Sequence, residues 1–291
     1  MKKRVEVYCP GSCGELIQGV IYGKELLVSY PIELGTILSI ELSNEKNNTE
    51  LMPKIKEAIK KTLKFLGIPK RFLENIKIQK NSQLTLGKGM SSSTADIACA
   101  IFGIGVLFGV NLDNRKIADI SVSIEPTDSI IFEDLTLFDS LKGELILPLA
   151  PVPSLKVIVL EGKGTIDTLD YHRIVGNAIY SYSKDWEEAY SGMEMSIKKG
   201  DWYGVGNSSI KSALIQQILL PKPYLDEIID CALSAGAYGV NVAHSGTAVG
   251  IFMSEEIDEM SIINRLDKLG ILEAYGRYYI TRTVKGGPRL V

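Results

Sequence analysis

The stretch GKGMSSSTAD, residues 87–96, runs without a break into an apolar segment rich in small residues that ends at Val110. Its spacing reads as a helix over Ser91 to Val110. Glycines at 103, 105 and 109 each cost such a helix about 1 kcal/mol. That cost makes sense where neighbours must approach closely, so the segment is expected to run through the core. A helix start has amides without internal partners, and the positive end of the helix dipole lies there too. One side-chain oxygen is enough to cap it, yet four hydroxyls follow one another from Ser91 to Thr94. Glycines 87 and 89 admit close approach of the backbone to a ligand, and Lys88 adds a cation. Leu86, Gly87, Lys88, Gly89, Met90, Ser91, Ser92, Ser93 and Thr94 are therefore read as a cradle for phosphate groups.

Common nucleotide loops do not account for it. The usual Gly-Lys loop needs a glycine five positions before the Gly-Lys pair and a hydroxyl directly after the lysine, where this chain has Ser82 and Gly89. EGKGT at 161–165 fails the same test at Val157. GIGVLFG lies inside a helix, not at a strand-to-helix turn, so it is no dinucleotide fingerprint.

Along the chain, Val5 to Tyr8 alternates as a strand and is expected to break at Pro10-Gly11. Glu25 to Tyr30 is expected to stop at Pro31, and Thr36 to Leu42 forms a third strand. Leu51 to Leu66 carries one apolar stripe opposite lysines and reads as a helix, with Pro53 in its first turn. A strand over Ile76 to Lys80 precedes the glycine turn. After the core helix come a helix over Asn111 to Ile124, capped by Asn111 or Asp113, and a hairpin over Thr136–Asp139 and Leu145–Leu149. Glu133, Asp134 and Asp139 are assigned to its solvated surface. The proline-marked Pro148 to Pro153 reads as a linker dividing a domain of residues 1–150 from one of 151–291. Beyond it lie a buried strand at Leu155–Leu160 and two or three helices between Asp170 and Gln217. A helix over Pro223–Ala235, paired strands at Gly239–Ala243 and Ala248–Met253, a helix over Ile257–Leu269 and a strand at Gly276–Thr283 complete an α+β pattern.

The formal net charge of -3, from 32 basic and 35 acidic residues, argues against a nucleic-acid partner. No apolar run is long enough for a bilayer, and MKKRVEV lacks the apolar core of a secretory signal, so a cytoplasmic protein without a membrane partner is expected. Cys9, Cys13, Cys99 and Cys231 are too scattered for a disulfide framework. Cys13 reads as a packing residue, and a zinc site at Cys9 and Cys13 is not expected. Of the two histidines, His172 and His244, the second abuts a glycine-rich turn.

Where a bound phosphate is to be transferred, its charge must be neutralised and a group must accept a proton. SIEPTDS, residues 123–129, offers Glu125 and Asp128 around Pro126. Magnesium takes oxygen ligands and keeps several waters, so one carboxylate and one hydroxyl suffice for it.

The glycine-serine stretch resembles the second motif of the GHMP kinases, whose usual form is Pro-x-x-x-Gly-Leu-Gly-Ser-Ser-Ala. Gly89, Ser92 and Ser93 match, while Thr85, Met90, Ser91 and Thr94 replace proline, leucine, the third glycine and alanine. CPGSCGELIQG near the start resembles the first motif, and VNVAHSGTAVGIF, with Gly246, resembles the third. The resemblance spans the chain and implies an α+β fold. Its N-terminal domain would be ribosomal-protein-S5-like, with a left-handed βαβ unit, and its C-terminal domain ferredoxin-like. It implies ATP and Mg²⁺, with Glu125 sharing the metal with Ser92 or Ser93. It also implies Asp128 beside the acceptor alcohol, catalysis by Asp128, Glu125 and Ser93, and Gly246 beside the nucleotide. Gly11, Ser12, Glu15, Gln18 and Asp128 fall on the acceptor side, where Glu15 would pair with an α-ammonium. Within the family, the motifs look like the branch that phosphorylates L-threonine for cobalamin. L-threonine is thus the implied substrate, with homoserine or another small alcohol as the alternative; a regulator that binds ATP without turnover is the reading from a different class. A homodimer is compatible with either.

Overall fold

The computed structural model describes residues 3–46, 50–166 and 173–291. Strands β1 (Arg4–Ile21) and β2 (Lys24–Leu42) form one long antiparallel hairpin. Its turn, Tyr22-Gly23, has φ of 52° and 73°, as required for a two-residue turn that matches strand twist. The breaks expected at Pro10-Gly11 and Pro31 do not occur. Instead the register slips between Pro10 and Gly11, between Ser12 and Glu15, and between Glu15 and Ile17. Bulges are where a sheet tolerates proline, and they re-aim the side chains around them. Three expected short strands are therefore two long ones, and the distorted segment faces the glycine turn. The amides of Ser12 and Gly14 donate to the carbonyls of Met90 and Gly89 at 3.1 and 3.0 Å.

The remaining strands are β3 (Ile76–Ser82), β4 (Leu135–Asp139), β5 (Ile146–Ala150), β6 (Lys156–Gly162), β7 (Gly239–Val242), β8 (Ala248–Met253), β9 (Tyr275–Arg282) and β10 (Arg289–Leu290). All ten join one sheet in the order β5-β4-β2-β1-β7-β8-β6-β9, with β10 on β1 and β3 on β2. The sheet crosses the proposed linker through the pairing of Glu15 with Val242. Strand β5 also takes in Pro148.

Helix α1 (Pro53–Phe65) buries Ile55, Ala58, Ile59, Thr62 and Leu63, the stripe read from the sequence. Helix α2 (Ser92–Leu107) is apolar on all sides, which marks a helix enclosed by protein. Ile97, Ile101 and Ile104 are fully buried, each contributing about 1.5–3 kcal/mol. A methyl group on Gly103 would meet Ile40 Cδ1 at 2.4 Å, so the glycine is what lets α2 lie directly on β2. Helix α3 (Asn114–Val122) is capped by Asp113, which accepts from the Lys116 amide at 2.7 Å.

Helices α4 (Ser183–Lys199), α5 (Trp202–Leu219), α6 (Leu225–Ser234) and α7 (Glu259–Lys268) cover the second half. The start of the helical stretch expected from Asp170, including His172, lies outside the described residues. Trp186 of α4 is fully buried and packs on Gly19 of β1, so one core joins side chains from both halves. A second core lies where α6 and α7 meet β6, β7 and β8. Asp139 is not a solvated residue as expected. It is buried, and its carboxylate accepts from the amides of Leu141 and Lys142 at 3.1 and 3.0 Å, closing the turn after β4. All four cysteines are buried and free; burial pushes the Cys13 thiol up to about 12, as for a packing residue.

Candidate active site

The glycine turn is built by alternating backbone signs. Gly87, Gly89 and Ser91 have φ of 69°, 77° and 56°, and the residues between them are not left-handed. Such alternation points successive N–H groups to one side and forms an anion-binding hollow. Left-handed backbone costs a serine roughly 1–2 kcal/mol, a strain of the kind found at functional sites. None of the main-chain N–H groups of residues 89 to 94 donates to another described residue. They line one side of a cavity of about 250 Å³ at the start of α2.

The four hydroxyls do not share one partner. Ser91 Oγ shares a 2.5 Å hydrogen bond with Ser12 Oγ. Ser92 Oγ is buried with no partner among the described residues. Ser93 Oγ donates to Glu125 Oε1. Thr94 Oγ1 donates to Asp128 Oδ2 at 3.3 Å and accepts from the Asp128 amide at 3.2 Å. Both acids of SIEPTDS therefore meet consecutive hydroxyls of the helix start, because Pro126 sits in the turn that follows α3.

Of the residues singled out in the sequence, Leu86, Gly87, Gly89, Met90, Ser91 to Thr94, Gln18, Glu125 and Asp128 line this cavity. Gly11, Ser12, Glu15, Lys88 and Gly246 do not. Lys88 is a correction to its expected role as the cation facing phosphate. Its ammonium donates to the carbonyl of Gly162 at 2.6 Å and to that of Gly164, tying the turn to the end of β6. Gly246 is packed beneath the turn; a methyl group there would lie 2.3 Å from Lys88 O and Gly89 N. Its neighbour Ser245 is the residue of that stretch on the wall.

Glu15 is likewise not on the wall. The bulges of β1 bury it, and its carboxylate accepts from the His244 amide at 3.1 Å. Burial pushes the Glu15 carboxyl up to about 7 and the buried His244 ring down to about 3, so Glu15 Oε2 and His244 Nδ1, 3.3 Å apart, do not form a full ion pair. Lys222 carries a charge near both, and burial lowers its ammonium to about 8. Asp128 is raised to about 7, first by burial and then by the charge of Glu15, while hydrogen bonds from Ser91 and Thr94 act the other way.

Three features escaped the sequence reading. Lys54, at the start of α1, lines the cavity and holds Glu125 Oε2 at 2.6 Å; it looked like one more lysine on a solvated helix face. Thr85, before the turn, is gripped from the second half. Glu161 Oε1 accepts from Thr85 Oγ1 at 3.1 Å, from Arg277 Nη2 at 3.0 Å and from the Tyr279 hydroxyl at 2.9 Å. Ser140 and Thr127 add hydroxyls near Asp128. No spacing signal connects these residues, since they come from separate elements.

The chemistry available is specific. Free amides at a helix start hold an anion, one carboxylate stands beside Ser93, and a second, more basic than usual, stands beside Thr94. This arrangement, on this α+β fold, belongs to enzymes that pass a phosphoryl group to a small molecule.

Residues 53–132 match the GHMP kinases N terminal domain and residues 193–272 the GHMP kinases C terminal. An L-threonine kinase of Citrobacter freundii is 34% identical over 284 residues, 97% of this chain and 98% of that protein. An L-threonine kinase of Salmonella typhimurium is 31% identical, over 97% of this chain and 94% of that protein. The crystal structure of homoserine kinase from Cytophaga hutchinsonii superposes with a TM-score of 0.77, covering 100% of this chain and 98% of that one at 19% identity. The chain belongs to the GHMP kinase family, and ATP is the phosphoryl donor such a kinase uses. No helix among the described residues is long and apolar enough to cross a membrane.

Proposed function

We propose that this chain transfers the γ-phosphoryl group of ATP to the side-chain hydroxyl of L-threonine, forming O-phospho-L-threonine and ADP for cobalamin synthesis in the cytoplasm. The threonine assignment rests on the two near-full-length L-threonine kinase relatives. The chemistry rests on one observation: Ser93 meets Glu125 while the adjacent Thr94 meets Asp128. In this reading residues 1–150 form the half that carries the cavity's helix start and residues 151–291 the half that braces it.

The amides of residues 89 to 94 and the hydroxyls of Ser91 and Ser92 hold the triphosphate. The Ser93 hydroxyl and the Glu125 carboxylate form an all-oxygen donor pair that suits Mg²⁺, with water and phosphate oxygens completing its shell; Ser92, whose oxygen has no described partner, is the other hydroxyl within the set. Bound there, the ion would offset charge on the transferred group. Asp128 takes the proton as the threonine oxygen forms its bond to the γ-phosphorus and the bond to the β–γ bridging oxygen breaks, releasing ADP. A base that titrates near neutrality suits this role. Gln18 reaches the acceptor from the wall, and Ser12 and Glu15 act from behind it by holding Ser91 and His244.

Purified protein with ATP and Mg²⁺, offered threonine, serine, homoserine and mevalonate in turn, tests the reading. Release of ADP with threonine, and a phosphomonoester on its side chain by phosphorus NMR, is the expected result. Phosphorylation of homoserine but not threonine would overturn the substrate and keep the chemistry. Tight ATP binding with no turnover on any alcohol would make the chain a nucleotide-binding regulator.

A further inference from the structure

The turn that holds the phosphates contributes no cation to them, because the Lys88 ammonium is spent on the carbonyls of Gly162 and Gly164. Among the described residues lining the cavity, Lys54 is the one lysine or arginine, set against the carboxylates of Glu125 and Asp128. Left so, a triphosphate would enter a wall with more negative than positive side chains. Lys54 is held at its base by the first turn of α1, next to Pro53, while its side chain is half exposed, unlike that of Glu125, which is 16% exposed. Its ammonium rests on Glu125 Oε2, and Oε1 of the same carboxylate is taken by Ser93. Its charge also reaches Asp96, in the first turns of α2. The lysine thus stands at the hydroxyl end of the helix start, on the carboxylate that Ser93 also meets.

We propose that Lys54 is a nucleotide-binding residue whose ammonium passes from Glu125 to a phosphate oxygen of ATP when a divalent cation takes the carboxylate. This inference rests on reading the cavity as the ATP site. The exchange keeps a counter-charge on Glu125 throughout, which matters because a partly buried carboxylate stripped of its partner is strongly disfavoured. A half-exposed ion pair is weak enough to be traded. Lysine suits the task, since a compact ammonium with rotatable donors can follow either partner, where a guanidinium would lock onto the carboxylate in two-point fashion.

The test compares wild type, Lys54→Ala and Lys54→Arg by calorimetric titration with ATP in Mg²⁺, together with steady-state kinetics for both substrates. Loss of one hydrogen bond to a charged group should weaken ATP binding about 10-fold to 100-fold in Lys54→Ala. Lys54→Arg should regain part of it, and the KM for threonine should stay within about two-fold. Without Mg²⁺, Lys54→Ala should melt somewhat below wild type, because Glu125 loses its partner, and Lys54→Arg should restore the melt. Wild-type ATP affinity in Lys54→Ala would overturn the proposal, as would a raised threonine KM with ATP binding unchanged, which would give Lys54 to the acceptor carboxylate. If wild type binds ATP but phosphorylates no amino acid, the titration still decides the role of Lys54. If wild type does not bind ATP at all, the reading of the cavity itself fails, and the proposal with it.

Discussion

Replacing Asp128 with asparagine should slow turnover and at the same time strengthen the fold, and the second effect is the more searching. Burial and the nearby Glu15 charge lift the Asp128 carboxyl from 3.8 to about 7. Between those values the folded chain binds a proton that the unfolded chain has released. Stability must therefore fall as pH rises from about 4 to about 7 and stay at the lower level above that. A rise of about three pH units at 1.36 kcal/mol each amounts to ~4 kcal/mol. Asp128 borders the cavity and is partly exposed, so water screens the cost and about half, ~2 kcal/mol, is expected. Asparagine keeps an acceptor for Thr94 and carries no charge. Urea unfolding of both proteins at pH 5 and pH 8 measures the difference. Asp128→Asn should be more stable than wild type at pH 8, by at least ~1 kcal/mol more than its gain at pH 5. Equal effects at the two pH values, or destabilisation at pH 8, would refute the argument that this carboxyl is held against its preferred ionisation. Wild-type kcat/KM should climb with pH through about 7 as the base loses its proton. The variant should be slower by about 10²- to 10⁴-fold, with ATP binding near normal.

Glu125→Gln should leave thermal melting close to wild type yet reduce turnover by about 100-fold or more, with a higher Mg²⁺ requirement, read by titrating the metal in an ADP-release assay. Gly246→Ala puts a methyl group 2.3 Å from Lys88 O and Gly89 N. The turn must shift, and ATP affinity should drop about 10-fold or more by titration, since a displacement of about 1 Å can cost 10²-fold in rate. Ser91→Ala keeps the left-handed backbone of φ 56° and loses the 2.5 Å bond to Ser12, so it should destabilise by about 1 kcal/mol in denaturant. Ser91→Gly loses the same bond but relieves the strain and should be nearly neutral.

Much of the site was legible because its parts are local. The hydroxyl run, the alternating glycines and the apolar small-residue segment are neighbours in sequence, and helix capping and backbone conformation act over a few residues. Short-range patterns of this kind were enough to place the helix start, the two acids around Pro126 and the hairpin of β7 and β8. The continuity of β1 and β2 was not legible, because a proline reads as a strand end until a partner strand supplies a bulge for it.

What the amino-acid order determined by itself was the supply of groups: orphan amides at the start of α2, four hydroxyls in succession, and a core helix slim enough to lie on β2. Tertiary structure alone decided the direction of charge. Lys88 turned from the cavity because carbonyls of Gly162 and Gly164 reach it across the fold. Lys54 turned in because α1 sets it beside Glu125, and Glu15 sank beneath the wall because β1 bulges against β7. Long flexible side chains take their partners from whatever packs near them, and no local pattern encodes that.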